Sequence, residues 1–303
     1  VEKYHLYGSA IFLQSLAEHT SDPSLLLELW TLSGPNDDPM ARLDALLQNR
    51  ASSLETGFTT FAAHTAVYDY AAGKYYEDQA ETYAQRYQHQ DHRIAAYVPS
   101  AGTAGWAKAP RETLPWSYGF NVIQMKDPQA GDYTVALAGN PVGSAQTPTI
   151  LAGTLVREYP DRIVYEPLQM TNAFCGMALA KGAGDESALY LVVAAEPKNA
   201  ELQETFAYQY LMQSGDKTGD RDSDGVSDLC DNCPDLANSD QIDRDNDGQG
   251  DACESSLPCA SNIAGHAASS HWLAFMILGL ILPGIMRLHR ELEIMIIPEK
   301  QKM

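Results

Sequence analysis

Two twelve-residue stretches, DRDSDGVSDLCD from Asp220 and DRDNDGQGDACE from Asp243, repeat one pattern along the chain. Acids stand at the first, third, fifth, ninth and twelfth positions. These are Asp220, Asp222, Asp224, Asp228 and Asp231, then Asp243, Asp245, Asp247, Asp251 and Glu254. Gly225 and Gly248 hold the sixth position, Val226 and Gln249 the seventh. A tightly wound loop turns every second side chain inward, so oxygens on alternate residues converge on one hard cation. Glycine at the sixth position permits the sharp bend, the seventh residue offers its carbonyl, and the acid at the twelfth closes the sphere. All twelve residues at positions one, three, five, seven, nine and twelve are therefore candidate ligands. Without a cation, so many close carboxylates would repel one another and the loops should swell or disorder. Calcium fits better than magnesium, which takes fewer protein oxygens and keeps more water. The pattern predicts calcium, in two or more ions.

Charge supports the same reading. Between Asp216 and Glu254 lie thirteen acids and three bases (Lys217, Arg221, Arg244), a net of −10, half of the −20 carried by all 303 residues. No phosphate-neutralising face is available, which argues against nucleic acid as a partner. An acidic solvated linker would not repeat in register with both glycines. An EF-hand or dockerin pair would need amphipathic helices beside each loop. The flanks Gln213-Ser214-Gly215 and Asp231-Asn232-Cys233-Pro234 do not supply them.

Cys175 stands alone, whereas Cys230, Cys233, Cys253 and Cys259 cluster in or near the acidic stretch. Clustering in a loop-like, Pro-containing segment fits an oxidising compartment and disulfide staples. No second CxxC or histidine pair completes a zinc site with Cys230-x-x-Cys233, and no strand–helix context supports a redox pair. Sequence leaves the connectivity open. Cys233 with Cys253 is favoured, since they bracket the second half of the module.

The run DSDGVSDLCDNCPDLANSDQIDRDNDGQGDACE resembles a thrombospondin type 3 repeat, including Asn232-Cys233-Pro234, Asn238, Asp240-Gln241 and Asp251-Ala252-Cys253. The resemblance implies several calcium ions, little regular secondary structure, disulfide stapling and an extracellular setting. Short insertions of this kind resemble those of bacterial surface proteins rather than the long animal arrays.

The rest of the chain reads as an α+β multidomain protein. Residues 1–92 are expected to form a helical unit. Asp22-Pro23 and Asp38-Pro39 start helices, and Ser52 with Glu55 has capping-box spacing. The seam Leu54, Phe58, Phe61, Thr65, Tyr68 and Ala72 then runs to Gly73. Residues 93–116, rich in Gly, Ala and Pro, read as a linker. From 117 to 213 the period changes to two, as in Phe120 and Val122 or Tyr208, Tyr210 and Met212. Six or seven strands there predict an antiparallel β-sandwich. The calcium module spans 216–254 and a second linker 255–270. The uncharged WLAFMILGLILPGIM (272–286), followed by Arg287 and Arg290, predicts a transmembrane helix over 271–290. A tail covers 291–303. Cys259, the small polar spacer, the apolar stretch and the basic end resemble bacterial carboxy-terminal sorting tails.

No HExxH, Gly-x-Ser-x-Gly or phosphate loop occurs, and no catalytic residue is assigned. His89 and His92 flank Asp91 in a polar segment read as solvated, and His64 reads as a satisfied interior histidine. YGSAIFLQSLAEHTSDPSLLLELW and LDALLQNRASSLETGFTTFAAHTAVYDYAAGKYYED resemble the helical lower half of exported HExxH zinc peptidases. In secreted bacterial members that half precedes a sandwich and a sorting tail. The resemblance implies that the zinc ligands lie upstream of Val1, so this chain alone is expected to be inactive. The expectation is an exported, surface-held calcium protein, membrane-anchored at its carboxyl end, the remainder of a zinc peptidase. The alternative is a non-enzymatic adhesin or spacer whose sandwich binds a protein or glycan. Asp222→Ala combined with Asp245→Ala should make residues 216–254 protease-sensitive even in calcium. Unchanged resistance in a timed proteolysis assay would contradict the ligand assignment.

Overall fold

The apolar run Ala188-Leu-Tyr-Leu-Val-Val-Ala-Ala195 shows how the molecule is layered, because a strand without polar alternation must be covered on both faces. The computed structural model describes residues 2–32, 38–87, 94–116, 118–139, 149–170, 175–197, 205–245 and 248–254. The expected transmembrane segment, Cys259, His89, His92 and Asp247 lie outside them. Among the described residues no helix is long and apolar enough to cross a membrane.

Among the described residues, five helices precede ten strands; the helices are α1 (Glu2–His19), α2 (Ser24–Leu32), α3 (Pro39–Gln48), α4 (Leu54–Val67) and α5 (Gly73–Tyr87). Three of them start on side-chain caps. Asp22 Oδ1 accepts from Ser24 N (2.9 Å), Asp38 Oδ1 from Met40 N (2.9 Å) and Ser53 Oγ from Thr56 N (3.0 Å). The seam expected to run on to Gly73 breaks at Tyr68, which takes a left-handed conformation (φ 53°) and caps α4. The polar segment after Gly73 forms α5. Leu16, Leu25, Leu43, Leu46, Leu47 and Leu54 make a leucine core among the first four helices.

Ten strands follow: β1 (Ile94–Val98), β2 (Ala107–Lys108), β3 (Gly119–Lys126), β4 (Gly131–Gly139), β5 (Thr149–Glu158), β6 (Ile163–Pro167), β7 (Gln169–Met170), β8 (Cys175–Ala183), β9 (Ala188–Pro197) and β10 (Tyr208–Ser214). They form two five-stranded sheets, ordered β1-β3-β9-β5-β6 and β2-β10-β4-β8-β7. Two features depart from the expected antiparallel sandwich. The stretch expected to be a linker supplies β1 and β2, and β1 pairs with β3 in parallel, so the first sheet is mixed.

Strand β9 divides its residues by parity. Leu189, Leu191, Val193 and Ala195 join Ile123, Met125, Leu155, Val135, Leu137 and Met212 between the sheets. Ala188, Tyr190, Val192 and Ala194 face the other way and meet Phe58, Phe61, Ala62 and Ala66 of α4. Helices, mixed sheet and antiparallel sheet are thus three packed layers, and Val1–Ser255 cluster as one compact unit. His64 belongs to this joint. It stacks on Tyr165 of β6 (4.5 Å between centroids), and its Nδ1 lies 2.9 Å from Asp69 O.

One buried ion pair fastens the sheet edge. The Glu186 side chain is fully buried. It accepts from Arg157 Nε (2.8 Å), from Tyr159 OH (3.0 Å) and from Gly184 N (2.7 Å). Burial pushes its carboxyl up, but the Gly184 amide and the Arg157 guanidinium outweigh that and leave it below the usual range. Its stabilising contribution is present above the ordinary carboxylate range and is lost as pH falls through the depressed folded value. Glu186→Ala leaves Arg157 with only Glu166 and the Lys181 carbonyl and should cost roughly 3 kcal/mol in denaturant titrations. The penalty should shrink in acid, where the wild type has lost the same charge.

Candidate metal centre

The acidic module starts where the second sheet stops. Gly215 N donates to Asp132 O (2.7 Å), and Gly215 O accepts from Thr134 Oγ1 (2.9 Å). Thr134 Oγ1 in turn accepts from Lys217 N (2.9 Å). Fully buried Thr134 therefore brackets the exit from β10.

Beyond it, each loop is wound by its own carboxylates. In the first, Asp220 Oδ2 accepts from Gly225 N and Oδ1 from Ser223 N (2.9 and 2.7 Å). Asp222 Oδ1 accepts from Asp224 N (3.2 Å) and Asp224 Oδ1 from Val226 N (2.8 Å). Gly225 sits at φ +95°, a region that L side chains avoid. The second loop repeats this geometry, with Gly248 also at φ +95° and its amide 2.9 Å from Asp243 Oδ2. Position nine repeats as well. Asp228 Oδ1 accepts from Arg221 N (2.9 Å), and Asp251 Oδ1 from Arg244 N (3.0 Å). In both loops the arginine guanidinium also pairs with that aspartate.

Carboxylate oxygens of Asp220, Asp222 and Asp224 lie within 4.8 Å of one another. Among the described residues this is the only such group of three or more His, Cys, Asp or Glu side chains. Asp222 Oδ2 and Asp231 Oδ2 are both buried without a hydrogen-bond partner. Burial first, and then repulsion from Asp224, Asp231 and Asp220, push the Asp222 carboxyl up. Asp220 is held below the usual range, chiefly by the Gly225 amide. An acceptor shut from water with no donor is costly, and a hard cation is the partner that suits two such oxygens among crowded carboxylates. The residues present fit calcium.

The twelve sequence-derived candidates divide accordingly. Asp220, Asp222 and Asp224 come together, and Asp231 offers its second buried oxygen. Val226 N is held by Asp224, while its side chain is buried against the sheets. Asp228 and Asp251 are engaged by Arg221 and Arg244. Asp243 repeats the Asp220 bond, and Asp245 and Glu254 lie in the described part of the second loop. Gln249 Nε2 donates to Cys253 O (2.8 Å). Asp247 lies outside the described residues, which leaves the second ligand set partly undescribed.

Sequence reasoning named Asn232, Asn238 and Gln241 without giving them a task. They form the strut between the loops. Gln241 Oε1 accepts from Asn232 N (2.9 Å), Asn238 Nδ2 donates to Asn232 Oδ1 (2.7 Å), and Gln241 Nε2 donates to Asp231 Oδ1 (2.8 Å). Asn238 N donates to Asp224 Oδ2 (2.7 Å), tying the strut to the first loop. Cys233 pairs with Cys253 as favoured, but Cys175 does not stand alone. It pairs with Cys230 across 55 residues. Nothing local signals that bond, because Cys175 lies in a strand remote in sequence. Closing a loop of that length stabilises by roughly 4 kcal/mol in the chain-entropy account.

Comparison with known proteins agrees with this division. A family model described as "Family of unknown function (DUF6055)" matches residues 1–216, and one for the thrombospondin type 3 repeat matches residues 213–241. The chain belongs to the DUF6055 family. Its acidic module is a thrombospondin type 3 repeat, matched over the first loop and the strut. No curated protein matches. Among solved structures, the chain is similar to the pre-peptidase C-terminal domain of a collagenase from Bacillus anthracis. Identity there is 12%, coverage is 41% of this chain and 100% of that one, and the TM-score is 0.28, too low to carry an argument.

The fit between loop and strut is tight at Gly250, where a Cβ would lie 2.4 Å from Asn232 Oδ1 and 2.7 Å from Cys233 Sγ. Gly250→Ala should therefore loosen the module by about 1–3 kcal/mol, as overpacking does. Limited proteolysis between residues 232 and 254 would show it, and an unchanged cleavage rate would contradict the packing.

Proposed function

We propose that this chain is an exported protein whose type 3 repeat is organised by calcium and holds its three-layered body in a defined setting outside the cell. The observation that carries the reading is the trio Asp220, Asp222 and Asp224 with the orphaned, buried Asp222 Oδ2. Bound calcium would supply the positive charge that these oxygens lack. Asp220, Asp222, Asp224 and Asp231 would hold it by side chains, and Val226 by its carbonyl. The two disulfides support an oxidising, extracellular compartment.

Two finer parts of the proposal rest on sequence. Anchoring to a membrane through residues 271–290 rests on the apolar run and the basic cluster after it. Kinship with a zinc peptidase rests on the resemblance of residues 1–78 and on the order of helical unit, sandwich and sorting-type tail.

Titration calorimetry of the full chain with calcium chloride tests the central part. Binding heat should be measurable, and calcium at a hundred times its dissociation constant should stabilise by about 2.7 kcal/mol per site. Asp222→Asn should remove the first-loop heat. Absence of heat in the wild type, or full heat in the variant, would overturn the reading.

A further inference from the structure

The two loops share a pattern but not a setting. At position seven the first loop carries Val226 and the second Gln249. The Val226 side chain is buried (4% exposed) with Cys175 and Cys230, and Trp106 and Ala138 pack against that cluster. Ala138 lies on β4, Cys175 opens β8, and Trp106 immediately precedes β2. These are three strands of one sheet. The disulfide Cys175–Cys230 crosses the same boundary, and Cys230 directly precedes Asp231 with its buried, unpartnered oxygen. The bracket at Thr134 makes a further attachment, again on β4. Gln249 is exposed, and its Nε2 donates to Cys253 O. Its loop is stapled to the strut by Cys233–Cys253 and makes no such attachment to a sheet among the described contacts.

We infer that the first loop couples calcium to the second sheet, with Val226 as the positioning residue that joins ion site to sandwich. This rests on the calcium reading above. Val226 would present its carbonyl to the ion while its side chain is gripped by the sheet. A backbone held at that angle is ready for the ion before it arrives, so docking raises affinity. By reciprocity the ion must stabilise the docked sheet by the same factor.

Hydrogen exchange measured by mass spectrometry on the full chain tests the inference, with calorimetry on the same samples. Calcium chloride should slow exchange in peptides covering 131–139 and 175–183 by tenfold or more in the wild type. The same slowing should persist in Asp245→Asn and vanish in Asp222→Asn. Val226→Ala keeps the carbonyl but shrinks the anchor, and should weaken first-loop calcium affinity three- to tenfold. Cys175→Ser with Cys230→Ser, which removes the covalent link while both loops keep their carboxylates, should abolish the slowing although binding heat remains. Heat in the wild type without slowed exchange would overturn the coupling and leave calcium binding standing. Equal loss of slowing in Asp245→Asn and Asp222→Asn would overturn the assignment to the first loop. No heat at all would overturn both readings together.

Discussion

Asp222 Oδ2 is buried and without a donor, in a loop whose neighbouring carboxylates crowd it further. Nothing within the first loop relieves this. Each amide the loop turns inward already serves another oxygen: Gly225 and Ser223 serve Asp220, Asp224 serves the other oxygen of Asp222, and Val226 serves Asp224. The winding of the backbone and the crowding of the acids are therefore one constraint. A loop tight enough to satisfy its amides brings its carboxylates too close to be left uncompensated. A divalent cation resolves the conflict without changing the winding.

The body to which this loop is fastened has a different logic. Its central strand β9 is apolar on both faces, because one parity faces the opposing sheet and the other faces α4. Burial on both sides commits the helices to the mixed sheet, so a separate helical domain is not what Phe58 and Phe61 build. The acidic module adds no comparable core. Its only apolar contact with the sheets among the clusters described is the small group around Val226, Cys175 and Cys230. Covalent bonds and amide hydrogen bonds do there what apolar area does elsewhere, and the proposed metal ligation would add to them, as expected for a segment with so few hydrophobic residues.

Much of this was legible in the amino-acid order where the signal is local. Asp22-Pro23 and Asp38-Pro39 mark helix starts because capping involves neighbours in sequence, whereas the cap expected at Ser52 is made one residue on, by Ser53. The in-register loops could be read because alternate ligands, a glycine and a repeat all fall within a dozen residues. What escaped depends on contacts far apart in the chain. Ile94–Val98 pairs in parallel with β3, a partner that an isolated Gly- and Ala-rich stretch does not announce. Cys175 looked solitary because its partner lies across several strands. Tyr68 stops α4 in mid-seam through its own left-handed backbone, which apolar periodicity does not report. The seventh-position pattern points to the carbonyl of Val226 and says nothing of its side chain, which is buried with Cys175 and Cys230.

Terbium luminescence offers the most direct measurement of the central claim, since Trp106 packs against the cluster that contains Val226. Excitation of the indole should sensitise a lanthanide seated in the first loop. The account predicts emission that calcium displaces, that magnesium displaces poorly, and that disappears in Asp222→Asn and dims in Trp106→Phe. Emission that is absent in the wild type, or that persists unchanged in Asp222→Asn, would contradict it.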